Sequence, residues 1–307
     1  MLGDGEWTEN DFDWQKRAAK ANRDLYMDIF VEIDFKNDLI DNKYYVMYFE
    51  TGYFPFENPE DHDFLNENKT LEALDYIIEI ARAMGSELED DNLQQQAQEI
   101  LELDFLLYNI SVEVADDDED IDVPLSKLNS QLNGDTFSYK DFINYHLQSE
   151  TSIEDESILY VFHPKYFQKL PSLLENTPKR TLANYIAFHI VFFFSEHSSE
   201  NIRKLTIGNS SKPNRTDEQE CLQISKTLMP MAIGRLFVDH YFPPLTRRHV
   251  SKMVEMIRLA YSSTIDQNMW MDENTLLYAL VKVRKNSRNL FHSYFNRNGC
   301  KIFFLEL

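Results

Sequence analysis

Eight histidines are the residues of this chain best suited to metal binding or to proton transfer near neutral pH. A hydrolytic zinc site on a helix needs two imidazoles four residues apart with a glutamate between them, because both rings must face the metal. No two histidines stand four residues apart, and no His-Glu-x-x-His occurs. His189 and His197 are eight residues apart, with Glu196 beside the second, and we interpret them as core or surface residues. The sequence therefore predicts no catalytic residue and no metal ligand.

Other motifs of enzyme sites are also absent from the sequence. No G-x-S-x-G, Walker A or G-x-G-x-x-G pattern occurs. The acidic run 113–122, EVADDDEDID, lacks the glycine and the alternating spacing of a calcium loop. Because like charges repel and extend a chain, we interpret this run as an exposed linker rather than a metal site.

Composition indicates a globular protein with an uneven charge distribution. The net charge is −22; residues 1–122 carry 34 acidic and 8 basic residues, whereas residues 123–307 carry 18 and 22. A polyanion of this kind repels nucleic acid and anionic membranes, so neither is an expected partner. The sequence shows no signal peptide, and its longest apolar stretch, 185–194, is too short to span a bilayer.

Hydrophobic spacing predicts a mainly α-helical fold with a few short strands. Alternation over 26–34 and the apolar run 43–50 indicate a hairpin, and apolar residues recur at helical spacing from Leu71 to Ala81. A second helix is predicted around 93–105 and a short strand at 158–163. Helices are predicted over 217–241 and 247–267, and Ser138 has the spacing of a helix cap.

Two segments carry a family pattern. The first, 159–191, includes Tyr166, Leu170, Leu182, Asn184 and Tyr185. The second, 220–275, includes a cysteine, an M-x-x-A-x-G-R-L-F-V core and W-M-D-x-x-T, represented by Cys221, Met229, Ala232, Gly234 to Val238, Trp270, Met271, Asp272 and Thr275. Over residues 7–283 the chain resembles the N-terminal, non-catalytic region of the neprilysin and endothelin-converting-enzyme family of zinc endopeptidases.

The resemblance implies a partial two-lobe architecture that lacks the C-terminal zinc domain. Residues 1–112 would form a fragment of the catalytic lobe, 113–122 an acidic linker and 123–283 a helical cap. The tail 284–307 has no family counterpart. Zinc belongs to complete family members, whose ligands lie beyond the matched region, so we expect no cofactor in this chain. Family members are type II plasma-membrane or secreted proteins, and this chain as given leaves its compartment open.

Structural roles are predicted for five residues of the second segment. The family cysteine at the Cys221 position pairs with one that precedes this chain, so we expect Cys221 to be unpaired, although pairing with Cys300 stays open. Gly234 would permit close helix packing in the apolar stripe 231–237, which we expect in the core, and Arg235 would form a structural ion pair. Trp270 and Asp272 complete the set as structural candidates.

Four N-x-[ST] sequons at Asn68, Asn109, Asn209 and Asn214 are candidate N-glycosylation sites. They favour an extracellular ancestor for the chain.

Three functional hypotheses follow from the resemblance. The first is a truncated member of a family that hydrolyses small peptides, inactive by itself without the zinc site. The second is a fragment of an active membrane or secreted zinc endopeptidase. The third is a module that binds small peptides or a full-length paralogue, which requires that the cap fold independently.

Overall fold

The computed structural model describes residues 9–37, 45–58, 63–64, 67–115, 119–133, 137–147, 153–209 and 217–283. It divides into two compact units, Met1–Lys212 (unit 1) and Pro213–Leu307 (unit 2). The described residues form mainly helices with a small sheet, which confirms the predicted fold class.

Unit 1 is built around a four-stranded sheet in the order β1-β2-β6-β5. Strand β1 (Val31–Asn37) pairs antiparallel with β2 (Tyr45–Thr51), which confirms the predicted hairpin. Strand β6 (Ile158–Val161) runs parallel to β2 and antiparallel to β5 (Ile121–Pro124). Two further strands, β3 (Glu57–Asn58) and β4 (Asp63–Phe64), form a separate antiparallel pair.

Alternating side chains give the sheet one buried and one polar face. Val31 and Ile33 are buried, whereas Glu32 and Asp34 point to the opposite, more exposed face. The period of two follows from the pleat of a strand.

The described part of unit 1 contains eight α-helices. They are α1 (Trp14–Leu25), α2 (Glu67–Ala83), α3 (Asp90–Ala115), α4 (Leu128–Gln131), α5 (Tyr139–Leu147), α6 (Pro164–Asn176), α7 (Lys179–Phe194) and α8 (Glu200–Asn209). Side chains cap two of them. Asp13 accepts from the Lys16 N–H at the start of α1, and Ser138 accepts from the Asp141 N–H at the start of α5, as predicted.

The predicted boundary at 113–122 falls inside unit 1. Residues 121–124 pair with β6, and β6 pairs with β2, so the chain on both sides of the acidic run contributes to one sheet. The structure places the division between units at 212/213 instead. The charge run could not predict that residues 121–124 form a strand. Backbone hydrogen bonds between strands do not depend on the repulsion of neighbouring side chains.

A buried carboxyl group joins three parts of unit 1. Asp104 of α3 is fully buried; its Oδ1 accepts from the Tyr185 hydroxyl of α7 at 2.6 Å, and its Oδ2 accepts from the Phe56 N–H at 3.2 Å. Burial, the Asp104 charge and this hydrogen bond raise the pKa of Tyr185 well above its usual range, so the hydroxyl keeps its proton and donates it.

A second buried contact requires a glycine after β2. A Cβ at Gly52 would lie 2.5 Å from the Ile29 carbonyl oxygen, closer than real Cβ atoms approach. The Gly52 N–H donates to the buried Tyr166 hydroxyl, which itself donates to the Phe30 carbonyl at 3.0 Å. Only a residue without a side chain allows the two backbone segments to approach this closely.

Unit 2 consists of four helices in its described part. These are α9 (Asp217–Leu228), α10 (Pro230–Tyr241), α11 (Pro244–Asp266) and α12, which begins at 273 and reaches 283, the last described residue. The single helix predicted over 217–241 is wrong, because the structure breaks it at Met229. Pro230 occupies the first position of α10, where its missing N–H costs no hydrogen bond, and Pro244 begins α11 in the same way.

The buried carboxyl group gives a direct test of the unit 1 core. Tyr185→Phe removes the hydroxyl that donates to Asp104 Oδ1, so the buried carboxyl group loses one hydrogen bond. We expect the free energy of unfolding to fall by about 1–3 kcal/mol. Chemical denaturation of the full chain measures this. Tyr45→Phe, at a tyrosine that is 61% exposed, is the matched control and should change little; an equal effect of both variants would contradict the assigned role of Asp104.

Candidate interaction surface

The two segments with the family pattern lie in opposite environments. In unit 1, Tyr166, Leu170, Leu182 and Tyr185 are all buried. Asn184 is buried as well, and its amide donates to Gln96 Oε1 at 2.8 Å, which joins α7 to α3. These residues therefore carry the core of unit 1, and their pattern is explained by packing within the described chain.

In unit 2 the patterned residues are exposed. Ile265 is the one buried apolar residue in the described part of this unit, and α10 buries none of its side chains. The exposed large apolar residues are Leu222, Leu228, Met229, Met231, Leu236, Phe237, Tyr241, Leu245, Met253, Met256, Ile257, Leu259, Tyr261, Met269, Trp270, Leu277, Tyr278 and Val281. We call this set the unit 2 apolar surface. The prediction that the stripe 231–237 is core is wrong for this chain, because no other described element covers it.

Two of the aromatic residues of this surface, Phe237 and Tyr241, lie near the end of α10. The rings of Phe237 and Tyr241 stack with centroids 5.9 Å apart, and Phe242 lies 6.5 Å from Phe237. Phe237 is nevertheless 54% exposed and Tyr241 75%. Soluble proteins seldom expose apolar groups together in this number unless the surface binds something.

Asp272 explains the W-M-D-x-x-T pattern locally. Its carboxylate accepts from the N–H groups of Asn274 and Thr275, both at 3.0 Å, and the Thr275 hydroxyl donates to it at 2.5 Å. These bonds lower the pKa of Asp272, with the Thr275 hydroxyl as the largest cause. Asp272 therefore caps α12, whereas Trp270, two residues before it, is 74% exposed and has no such local role.

Arg235 forms an ion pair, but an exposed one. Its Nε lies 2.9 Å from Asp239 Oδ2 one helical turn away, and both side chains are about half exposed. Pairs of this kind contribute roughly 0.3–0.5 kcal/mol. Gly234 is half exposed on the same helix, so its role in close helix packing stays a prediction.

Cys221 is an exposed free thiol in α9, and Cys300 lies outside the described residues.

The glycosylation candidates have mixed positions. Asn68 lies within α2, and Asn209 is the last residue of α8. Asn109 is half-buried inside α3. Asn214 lies outside the described residues, and none of the four sites is tested by the structure.

The histidines do not form a metal site in the described part of the chain. His189 is fully buried against the Tyr185 ring, with centroids 4.4 Å apart, and burial lowers its pKa to about 3. His197 is exposed. No group of three or more metal-binding side chains comes together among the described residues, so they do not fit a zinc ion. None of the helices described here is long and apolar enough to cross a membrane.

The polar face of the sheet carries a cluster of carboxyl groups. The Tyr48 hydroxyl donates to Asp34 at 2.9 Å and to Glu32 at 3.2 Å, and the Lys36 ammonium lies 3.8 Å from the centroid of the Tyr48 ring. Burial, followed by the charges of Glu32 and Asp34, raises the pKa of Asp28 to about 7. The carboxylates of this cluster repel one another, and no metal site is found among the described residues.

Sequence reasoning missed Asp104 and Asp28. Asp104 had a detectable signal, because Leu101 and Tyr108, its neighbours on the same face of the helix, are both apolar or aromatic. A charge in such a place needs a buried partner. Asp28 had none, because the burial that raises its pKa arises only in the folded chain.

Comparison with known proteins finds one family model and several relatives that are similar to this chain. A sequence model described as Peptidase family M13 matches residues 1–290. Neprilysin-1 of Trittame loki is 23% identical over a segment that covers 90% of this chain and 40% of that protein. Endothelin-converting enzyme-like 1 of Rattus norvegicus is 30% identical over a segment that covers 70% of this chain and 28% of that protein. An inhibitor complex of the Mycobacterium tuberculosis zinc metalloprotease Zmp1 superposes with a TM-score of 0.69 at 17% identity, covering 91% of this chain and 43% of that one. The chain thus spans less than half the length of these relatives.

The raised pKa of Asp28 predicts a pH-dependent stability. The folded protein binds this proton up to about pH 7, whereas an unfolded aspartate releases it near pH 4. The contribution of Asp28 to stability is therefore most favourable below about pH 4, becomes less favourable as the pH rises to about 7, and is fully unfavourable above that. Asp28→Asn should remove this penalty and raise stability at pH 8 but not at pH 4. The shift sets an upper bound of about 4 kcal/mol, which solvent screening reduces.

Denaturation at pH 4, 6 and 8 measures this difference. Asp75→Asn, at an exposed carboxyl group on α2, makes the same charge change and should keep the parental pH profile. A gain for Asp28→Asn that is the same at every pH would show that the ionisation of the buried Asp28 carboxyl group is not its cause.

Proposed function

Because the chain belongs to peptidase family M13, we propose that it supplies the N-terminal, non-catalytic part of a neprilysin-like zinc endopeptidase that hydrolyses small peptides. The observation that carries the proposal is the family match over residues 1–290 in a chain whose sequence contains no His-Glu-x-x-His. Hydrolysis at zinc needs three protein ligands and an open coordination position for water. Those ligands must come from polypeptide outside these 307 residues.

Unit 1 would act as a rigid framework for such an assembly. Its core is closed by Asp104, Tyr185 and Tyr166, none of which reaches solvent. These groups therefore have structural roles and are not available to a peptide substrate. Unit 2 would contribute its apolar surface to contacts with the zinc-bearing part.

The family resemblance supports a location of the complete assembly at the plasma membrane or outside the cell. Candidate glycosylation of Asn68, Asn109, Asn209 and Asn214 agrees with that location.

A second candidate function is a module that binds peptides or a full-length paralogue. The unit 2 apolar surface favours it, since exposed aromatic and methionine side chains are typical of docking surfaces. The lack of a core in the described part of unit 2 argues against the version in which this unit folds and works alone.

The chain by itself should not hydrolyse peptides. We expect no cleavage of a panel of small peptides with zinc added, and less than one equivalent of zinc bound after dialysis, because the described residues bring no three ligands together. Mass spectrometry of the peptides and metal analysis of the protein measure the two outcomes. A relative that contains His-Glu-x-x-His serves as the positive control, and zinc-dependent cleavage by this chain would overturn the proposal.

A further inference from the structure

We propose that unit 1 contains an acid-sensitive latch, in which His189 on α7 and His146 on α5 hold these helices to the core only while their imidazole rings are neutral. Protonation of either ring would place a positive charge in a poorly solvated position and would favour release of the helix that carries it. The proposal does not rest on the peptidase role, because it concerns contacts within unit 1 alone.

His189 is the more enclosed of the two histidines. Its side chain packs against the Tyr185 ring with centroids 4.4 Å apart, and the residue is 3% exposed. Its Nε2 is buried and has no hydrogen-bond partner among the described residues. In a neutral imidazole this nitrogen can stay without a proton, whereas an imidazolium carries an N–H on both nitrogens. Protonation there would add a buried donor without an acceptor and a buried charge at once.

The carboxylates of α3 that face α7 already have hydrogen-bond donors. Asp104 accepts from the Tyr185 hydroxyl at 2.6 Å and from a backbone N–H at 3.2 Å. Glu99 accepts from the Thr181 hydroxyl of α7 at 2.9 Å. A protonated His189 would therefore compete with existing donors for these oxygens.

The other elements packed on α7 bring neutral groups. The residues that α1 buries are uncharged: Ala18, Ala19, Ala21 and Asn22. Tyr76 of α2 contacts the Phe188 ring, and Tyr166 of α6 interacts with Tyr185; phenols stay neutral below about pH 10. Burial therefore acts on His189 without a compensating charge and lowers its pKa to about 3.

His146 lies near the end of α5, the helix that packs on α1. Its Nδ1 is also buried with no hydrogen-bond partner in the described part of the chain. From α1, the Arg23 guanidinium donates to a backbone carbonyl of α5 at 3.0 Å, Lys16 lies over an aromatic ring of α5, and Asp24 pairs with Arg23 at the surface. Burial first, and then the Arg23 charge, lower the pKa of His146 to about 4, against an opposite effect of Asp34 on β1.

Both histidines make the unfolding equilibrium depend on pH in the same direction. An unfolded histidine binds its proton below about pH 6.5, whereas His189 and His146 stay neutral in the folded chain down to about pH 3 and about pH 4. Unfolding in that window takes up a proton at each ring. The stability that the two neutral rings contribute is therefore fully present above about pH 6.5, and the unfolding constant rises up to about tenfold per pH unit and per histidine as the pH falls.

Asp28 acts in the opposite direction and offsets part of this effect. Its carboxyl group keeps a proton up to about pH 7 in the folded chain, so unfolding between about pH 4 and 6.5 releases a proton there. Two histidines against one aspartate leave a net uptake of about one proton on unfolding. Each histidine is therefore measured as a difference between the parent and a variant at the same pH, in which the contribution of Asp28 cancels.

Urea denaturation of the full 307-residue chain at pH 7.5 and pH 5 tests the latch. His189→Leu and His146→Leu each remove a titrating ring and leave an apolar side chain. We expect the unfolding constant of the parent, relative to that of each variant, to rise about 30-fold between the two pH values, whatever constant offset the substitution itself causes. His249→Leu, at an exposed histidine of unit 2, is the matched control and should keep the parental pH profile. A ratio that does not change with pH for either variant would overturn the proposal.

Nuclear magnetic resonance of the parental chain with labelled histidine gives a second readout, whose outcome does not depend on the stability of a variant. The signals of His189 and His146 are assigned by their loss in the two variants. Both should keep the chemical shift of a neutral ring from pH 7.5 to pH 5 while the chain is folded. A change of shift centred near pH 6.5 in either signal would contradict the latch, because a ring that titrates like an unfolded histidine adds no pH dependence to folding.

Discussion

Asp104 is the constraint on which the rest of unit 1 depends. A carboxyl group buried in a helix is costly unless its oxygens are hydrogen-bonded, and here they bind the Tyr185 hydroxyl and the Phe56 N–H. The first bond fixes α7 against α3, and the second fixes the chain that follows β2. Gly52 lies in that same stretch, where the absence of a side chain lets the backbone approach Ile29. The hydrogen bonds of Asp104 and the close backbone approach at Gly52 thus connect the sheet to the helices. A different residue type at either position would break that contact.

The two units show how one family pattern can have two physical meanings. In unit 1 the patterned residues are buried against partners within the chain. In unit 2 the patterned residues Leu236, Phe237 and Trp270 are exposed. The exposure of these residues agrees with a chain that spans less than half the length of its relatives.

Local signals were sufficient to predict much of the fold. The hairpin of β1 and β2, the helices after it and the Ser138 cap follow from alternation, helical spacing and cap chemistry. The domain boundary did not, because the pairing of β5 with β6 joins segments that are distant in sequence. The exposure of 231–237 could not be predicted either, because the sequence of an apolar stripe does not show whether another part of the chain covers it.

Hydrogen exchange of the chain alone, followed by mass spectrometry, tests the central claim that unit 1 has a complete core and unit 2 does not. The account predicts strong protection of amides in α3 and α7, whose inward side chains are buried, and little protection in α10 and α11. Protection of α10 and α11 equal to that of α3 and α7 would contradict it, because unit 2 would then be stable without further apolar burial.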